Sequence, residues 1–406
     1  MTLPIKLTTL LITLAALTTA MAETKRFVLT DTTQGIHVES FNLSSKDLGM
    51  TDGPAWSIRK YTLHGGKEEG VEVIEVDNGK LTFSVIPTRG MSIYRVTCSD
   101  VRLGWDSPVK DLVNPAFINL EDNGGLGWLD GFNEMMVRCG YQWAGHPGDD
   151  NGRLLTLHGK AGNIPASIVV VSVDTDAPHT IRIRGQVNET SFKFADYQAW
   201  TEINTTPGSA TFSLNDEVTN LSDYDREFQL IYHANFGPPL LEKGSEFVAA
   251  VNTVTPFDDA ANKPAEVKNW TTYKGPTKGY GETVYCLVPY GDKKGNTTVM
   301  LKNAKGDRGI ACSYNIKQLP NFALWKNTDT LHDGYVTGLE PTTSFPTTRN
   351  FERKAGRVPT LKAGQSRQFQ LSYTVLLDAA SVARTASEIS KIQGKRKTTV
   401  SEKTLK

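Results

Sequence analysis

Apolar and polar residues alternate with a period of two along most of this chain, in short runs. WSIRKYTLH (56–64), GVEVIEV (70–76), KLTFSVIP (80–87) and MSIYRVTC (91–98) each read as a strand. Asn78-Gly79 between two such runs predicts a hairpin. Strands are expected again at 166–173, 179–187, 199–206, 210–218 and 226–236. A last group falls at 283–290, 296–303, 309–316, 335–341 and 367–377. Only DAASVARTASEISKIQ has helical spacing, and the basic tail GKRKTTVSEKTLK after it reads as frayed. About fifteen strands and one terminal helix, with no repeat and no Pro/Ser-rich linker, fit a large two-sheet β-sandwich.

Two stretches break the alternation. Residues 99–165 are rich in Gly, Asn, Asp and Trp. The density of Trp105, Trp128, Phe132, Tyr141 and Trp143 predicts ordered loops over one end of a sheet rather than disorder. Residues 23–55 are polar and loosely patterned, with one strand expected at 39–43. Ahead of them, LTTLLITLAALTTA and Ala20-Met21-Ala22 have the form of a leader peptide and its cleavage site, too short for a bilayer span. The expected product is exported, periplasmic or extracellular, without a stable membrane span after cleavage.

Composition changes this picture little. The 406 residues carry a formal net charge of zero, which gives no argument for a nucleic-acid partner. Cys98, Cys139, Cys286 and Cys312 have long, irregular spacings, so no zinc knuckle or CxxC motif is present, and pairing or free thiols both stay open. The acidic loops 121–125 and 148–152 do not match a calcium loop. No nucleophile elbow, P-loop or dinucleotide fingerprint occurs.

The candidate chemistry centres on EFQLIYHANFG. Phe228, Leu230, Tyr232, Ala234 and Phe236 fall on one face of a half-buried strand, while Gln229, Ile231, His233 and Asn235 fall on the other. An imidazole held on a rigid strand suits acid–base work. His158 in LHGKAGNIPA is flanked by glycines that let a ligand come close. Glu340 in YVTGLEP shares a face with Val336 and Gly338 at a strand end, where partial desolvation would raise its pKa. Trp325 in LPNFALWKN offers a flat apolar face to a sugar ring, with Lys326 beside it. Arg89 in IPTRGMSIYRV could orient a hydroxyl, and His146 and His332 are possible rim residues.

In joint order these motifs resemble the aldose 1-epimerase (galactose mutarotase) superfamily, and LHGKAGNIPA is similar to an HGFAR-type segment of hexose-phosphate mutarotases, with Lys160 departing from it. The resemblance covers roughly residues 55–378, between an extension (23–54) and the C-terminal helix and tail (379–406). It implies an all-β antiparallel β-supersandwich with a short C-terminal helix and a carbohydrate pocket on one sheet. By motif position His233 matches the general acid, Glu340 the general base, His158 a further substrate contact and Arg89 a substrate-orienting arginine. Asp258 or Asp259 matches a pocket aspartate. The implied ligand is a monosaccharide or glycan end, with no metal or redox cofactor needed. The acid and base should flank the sugar on opposite sides, with Glu340 holding the lower pKa. Two other readings stay open: a carbohydrate-binding protein in which His233 and Glu340 need not meet, and a glycan lyase or hydrolase by analogy of fold.

Overall fold

The structure, a computed structural model, describes residues 23–405, so the leader-like N-terminal run lies outside it. Two large sheets, of ten and thirteen strands, stack face to face. The pairing is antiparallel almost throughout, as hairpin-connected alternating runs dictate. The Asn-Gly hairpin forms: Glu72–Asp77 pairs with Leu81–Ile86. The described residues hold 27 strands rather than about fifteen, the surplus being mostly pieces of two to four residues. No helix among them is long and apolar enough to cross a membrane.

The site is carried by the larger sheet. We label its strands there β1 (Ser92–Cys98), β2 (Met136–Cys139), β3 (Ile231–Phe236), β4 (Thr283–Pro289), β5 (Asn321–Asn327) and β6 (Val336–Thr342). They lie side by side in the order β4-β5-β6-β3-β2-β1. Tyr232, Ala234 and Phe236 of β3, with Phe228 and Leu230 before it, face the core between the sheets, as the alternation requires. The other face of β3 is not open to solvent. Ile231 packs there with Trp128, Phe132 and Leu157 from the Trp-rich loops, so every residue of β3 is buried.

One buried ion pair ties the sheets together beneath this strand. Arg138 of β2 donates from Nε (2.5 Å) and Nη2 (3.0 Å) to the Asp216 carboxylate of the smaller sheet. The Tyr232 hydroxyl donates to the same carboxylate at 2.8 Å.

Both chain ends are more integrated than the sequence pattern suggests. Thr24–Asp31 pairs with Ile168–Asp174 in the smaller sheet, and Phe41–Ser44 pairs with Ser57–Thr62 in the larger. The helix Ala379–Gln393 forms, capped by Asp378 and Ser381. The tail after it is not simply frayed: Thr399–Val400 adds a short parallel strand to Val251–Pro256. Its alternating Thr and Val offer backbone groups to an edge that would otherwise lack partners. All four cysteines are free and buried.

Candidate active site

The register of β3 against β6 builds the centre of the site. Ala234 faces Leu339 and Asn235 faces Gly338, which sets His233 opposite Glu340. Directly opposed residues of an antiparallel pair have Cβ atoms about 5 Å apart. His233 Nε2 accordingly lies 3.3 Å from Glu340 Oε1. The two groups stand side by side on one wall. The expectation that they flank the ligand from opposite sides is thus corrected by the sheet register.

Asn235 settles the imidazole. Its amide nitrogen donates to the backbone carbonyls of Glu134 (3.0 Å) and His233 (3.2 Å), so its oxygen is the atom 2.7 Å from His233 Nδ1. Nδ1 therefore carries a proton and donates it, and Nε2 faces Glu340 with its lone pair in the neutral ring. Asn235 itself is fully buried and does not line the cavity; it positions His233.

Around the pair lies a cavity of about 430 Å³, bounded by Trp128, Phe132, Leu157, His158, Trp325 and Val284, with His146 and Glu282 also on its walls. Leu126 and Leu129 stand partly exposed at its mouth, at 36% and 44%. A volume in this range holds a small ligand. The rings of Phe132, Trp325 and His158 meet the His233 ring with centroids 5.3, 5.6 and 5.2 Å away. Trp325 is fixed by its indole N–H, which donates to Glu282 at 2.8 Å.

This apolar cage sets the electrostatics. Burial pushes the Glu340 carboxyl well above the usual carboxylate range, and the negative charge of Glu282 adds to the effect. Burial pulls His233 down to about 4, against the hydrogen bond it donates to Asn235. His158 is pulled well below its ordinary value by burial, then by His233 and His146. The expected order, with Glu340 lower than His233, is therefore reversed. Desolvation disfavours the carboxylate and the imidazolium alike, and so moves their pKa values in opposite directions. Glu340 Oε1 and His158 Nδ1 are buried and have no hydrogen-bond partner among the described residues. Buried polar atoms in this state are unusual and suit the hydroxyls of a ligand.

Gly338 keeps room for the carboxylate. A Cβ there would lie 2.4 Å from Glu340 Oε1. Gly338→Ala is expected to leave the melting temperature unchanged but to displace that oxygen, slowing any proton transfer at Glu340 about 10–100-fold. The glycine beside His158 has a different purpose from the one its sequence suggests. A Cβ on Gly159 would meet the Trp143 carbonyl oxygen at 2.2 Å, so this glycine admits neighbouring backbone, not a ligand.

Three residues expected at the pocket are placed elsewhere. Arg89 is buried, and its fork is consumed by Glu134, the Val113 carbonyl and the Gly131 carbonyl. It braces residue 134, whose carbonyl holds Asn235. Lys326 projects from the opposite face of β5 to Trp325. Its Nζ donates to the carbonyls of Thr272, Asn269 and Trp270, and burial pulls its pKa down to about 8. Asp258 sits in a turn, where its carboxylate accepts the Ala261 N–H at 3.1 Å. It does not line the cavity, although its neighbour Phe257 stacks on His146 at 5.0 Å. His332 is exposed and also stays outside, whereas His146 does reach the wall. Glu282 gave no signal in the sequence. It is found only through the register that sets Val284 opposite Trp325.

Comparison with known proteins bears on the same region. Residues 68–375 match the profile of a family described as a domain of unknown function, DUF4432. A search of curated proteins returns no match. A solved structure from Klebsiella pneumoniae subsp. pneumoniae MGH 78578, a candidate aldose 1-epimerase, is 48% identical, with a TM-score of 0.92 over 94% of this chain and 99% of that one. A galactose mutarotase-like protein from Clostridium acetobutylicum shares the fold at 14% identity, with a TM-score of 0.52 over 78% of this chain and 98% of that one. The chain belongs to the DUF4432 family, within the aldose 1-epimerase (galactose mutarotase)-like superfamily.

Proposed function

We propose that the protein interconverts the anomers of an aldose by acid–base ring opening, and that it does so after export. The observation that carries this reading is the cross-strand contact of His233 and Glu340, 3.3 Å apart on the wall of a sugar-sized cavity. The hydroxyl oxygen O1 and the ring oxygen O5 of an aldose are bonded to the same carbon. Two side-by-side groups therefore suit them better than two groups on opposite sides. One group takes the proton of the O1 hydroxyl as the C1–O1 double bond forms. The C1–O5 bond breaks, and the other group gives O5 a proton. Rotation about C1–C2 then presents the other face of the aldehyde, and the same steps run backwards. The proton rests on Glu340 and Nε2 of His233 is free, so we assign Glu340 as the acid toward O5 and His233 as the base toward O1, the reverse of the roles the resemblance implies. Between them they hold one exchangeable proton, and this is all the cycle needs. Each transfer is worth about 10²–10⁴-fold. Trp325, Trp128 and His158 would hold the sugar, and the likeness to the Klebsiella protein, a candidate aldose 1-epimerase, supports the same reading. The close contact also weighs against a purely binding role, which gives no reason for the pair to meet.

Saturation-transfer NMR of anomer exchange over a panel of aldoses tests the proposal. Exchange of at least one should accelerate strongly; uncatalysed rates for the whole panel would overturn it. The pH profile should be broad. Activity should fall as the pH drops through about 4, where His233 takes up a second proton and the pair loses its base. It should fall on the alkaline side only above the usual carboxylate range, where Glu340 gives up the shared proton. A half-point near the ordinary histidine value on the acid side would contradict the one-proton pair.

A further inference from the structure

A second groove opens beside the cavity on the same run of loop. It has a volume of about 410 Å³ and is lined among others by Thr156, Arg153, Lys160, Trp143 and Phe194, with the exposed Glu121 at its rim. Within the segment 154–160, Thr156 and Lys160 line the groove while Leu157 and His158 line the sugar cavity. The Cα atoms of Thr156 and His158, two residues apart, lie at most about 7 Å from each other. The cavity and the groove are therefore walled by neighbouring residues of one segment.

Two cations share one face of the groove. The Arg153 guanidinium stacks on Trp143 at 5.1 Å and on Phe194 at 5.0 Å. The Lys160 ammonium stands 5.8 Å from the same Trp143 ring. Among the described residues neither cation forms an ion pair, and the one side-chain hydrogen bond of Arg153 is a long one, 3.4 Å to Gln142. The nearby carboxylate of Glu189 is buried and already accepts the backbone N–H groups of Tyr141 and Gln142. Glu189 feels the charge of both cations, yet their unused donors leave room for a further anion on the indole platform. The second observation is independent of charge. Thr156 is 5% exposed, and its hydroxyl is buried with no hydrogen-bond partner. The tryptophan platform is itself fixed, since its indole N–H donates to the Thr156 carbonyl at 2.7 Å.

We propose that this groove is a subsite for an oxyanion carried by the sugar ligand: a carboxylate, sulfate or phosphate on the same or the adjoining unit. Arg153 and Lys160 supply charge-assisted hydrogen bonds, and Thr156 a neutral one. The proposal deepens the reading of the neighbouring cavity as a sugar site. Its test is by binding and does not depend on turnover. Calorimetric titration of the full-length protein compares glucose, glucuronate, glucose 6-sulfate, glucose 6-phosphate and the pair cellobiose and cellobiouronate. At least one anionic sugar should bind about 10-fold or more tightly than its neutral counterpart. Which member gains identifies the anion and its position. In Arg153→Gln/Lys160→Gln that ratio should fall to about one, and in Lys160→Gln alone to an intermediate value. Equal affinities in the wild type, a ratio unchanged in the double variant, or free sulfate binding as tightly as glucose 6-sulfate would each overturn it. Should the epimerase reading fail alone, anionic sugars would still bind preferentially while no anomer exchange is accelerated.

Discussion

Glu340→Gln is expected to slow anomer exchange by about 10²–10⁴-fold and, at neutral pH, to raise the melting temperature by about 2 °C. The two effects share a cause. The cage that gives Glu340 its raised pKa also disfavours the charged carboxylate in the folded state. Above the unfolded carboxylate pKa the unfolded chain releases this proton while the native chain keeps it. Wild-type stability therefore falls as pH rises from about 4.5 through the native pKa of Glu340. Glutamine fills the same space and has no proton to lose. Its advantage should be present at pH 7 and vanish below about pH 4, where the wild-type carboxyl is neutral in both states. Thermal melts of the two proteins across this range, run beside the NMR exchange assay, give both readouts. A variant that keeps its rate, or that melts lower than the wild type at pH 7, would remove Glu340 from the role assigned to it.

Asp216→Ala should be the most damaging single change to stability, at about 3–5 kcal/mol. The cost is the charge left behind, not the net worth of the pair. Arg138 is fully buried, and its Nε and Nη2 would face an apolar void where a carboxylate had accepted both. Tyr232 would lose its acceptor as well. Urea unfolding followed by tryptophan fluorescence measures the change. A loss below about 1 kcal/mol would mean that water reaches Arg138 in the variant. Because β2 and β3 carry these groups, the surviving folded fraction should also show weaker activity.

Much of this architecture is legible in the alternation itself. The run 335–341 and the strand Val336–Thr342 agree to within a residue, and TVYCLVPY marks β4 almost to its ends. Period-two patterning reports which face a side chain takes; that His233, Glu340 and His158 share a pocket was implied by the resemblance of their motifs. The patterning does not report what covers that face. The burial of both sides of β3 comes from loops with no periodicity, so a half-buried strand was the natural expectation. Arg89 and Asp258 misled for another reason. Their partners are backbone groups and a carboxylate whose positions only the assembled chain defines. Lys326 could have been set aside from sequence alone, since neighbours on a strand point to opposite faces and Trp325 already takes the pocket side. Glu282 sits before a strand start and shows no pattern at all. Its effect on Glu340 is a matter of tertiary distance.

The cross-strand alignment of β3 with β6 also gives the laboratory a gauge of folding quality. Were β3 to slide by a single position, Tyr232 would turn toward the cavity and His233 into the interior between the sheets, and the imidazole–carboxyl pair would be lost with the register. Chains with native-like secondary structure but the wrong alignment would look normal by circular dichroism and be inert. Turnover per mole of refolded protein would then count the correctly aligned molecules, a quantity that bulk spectroscopy does not separate.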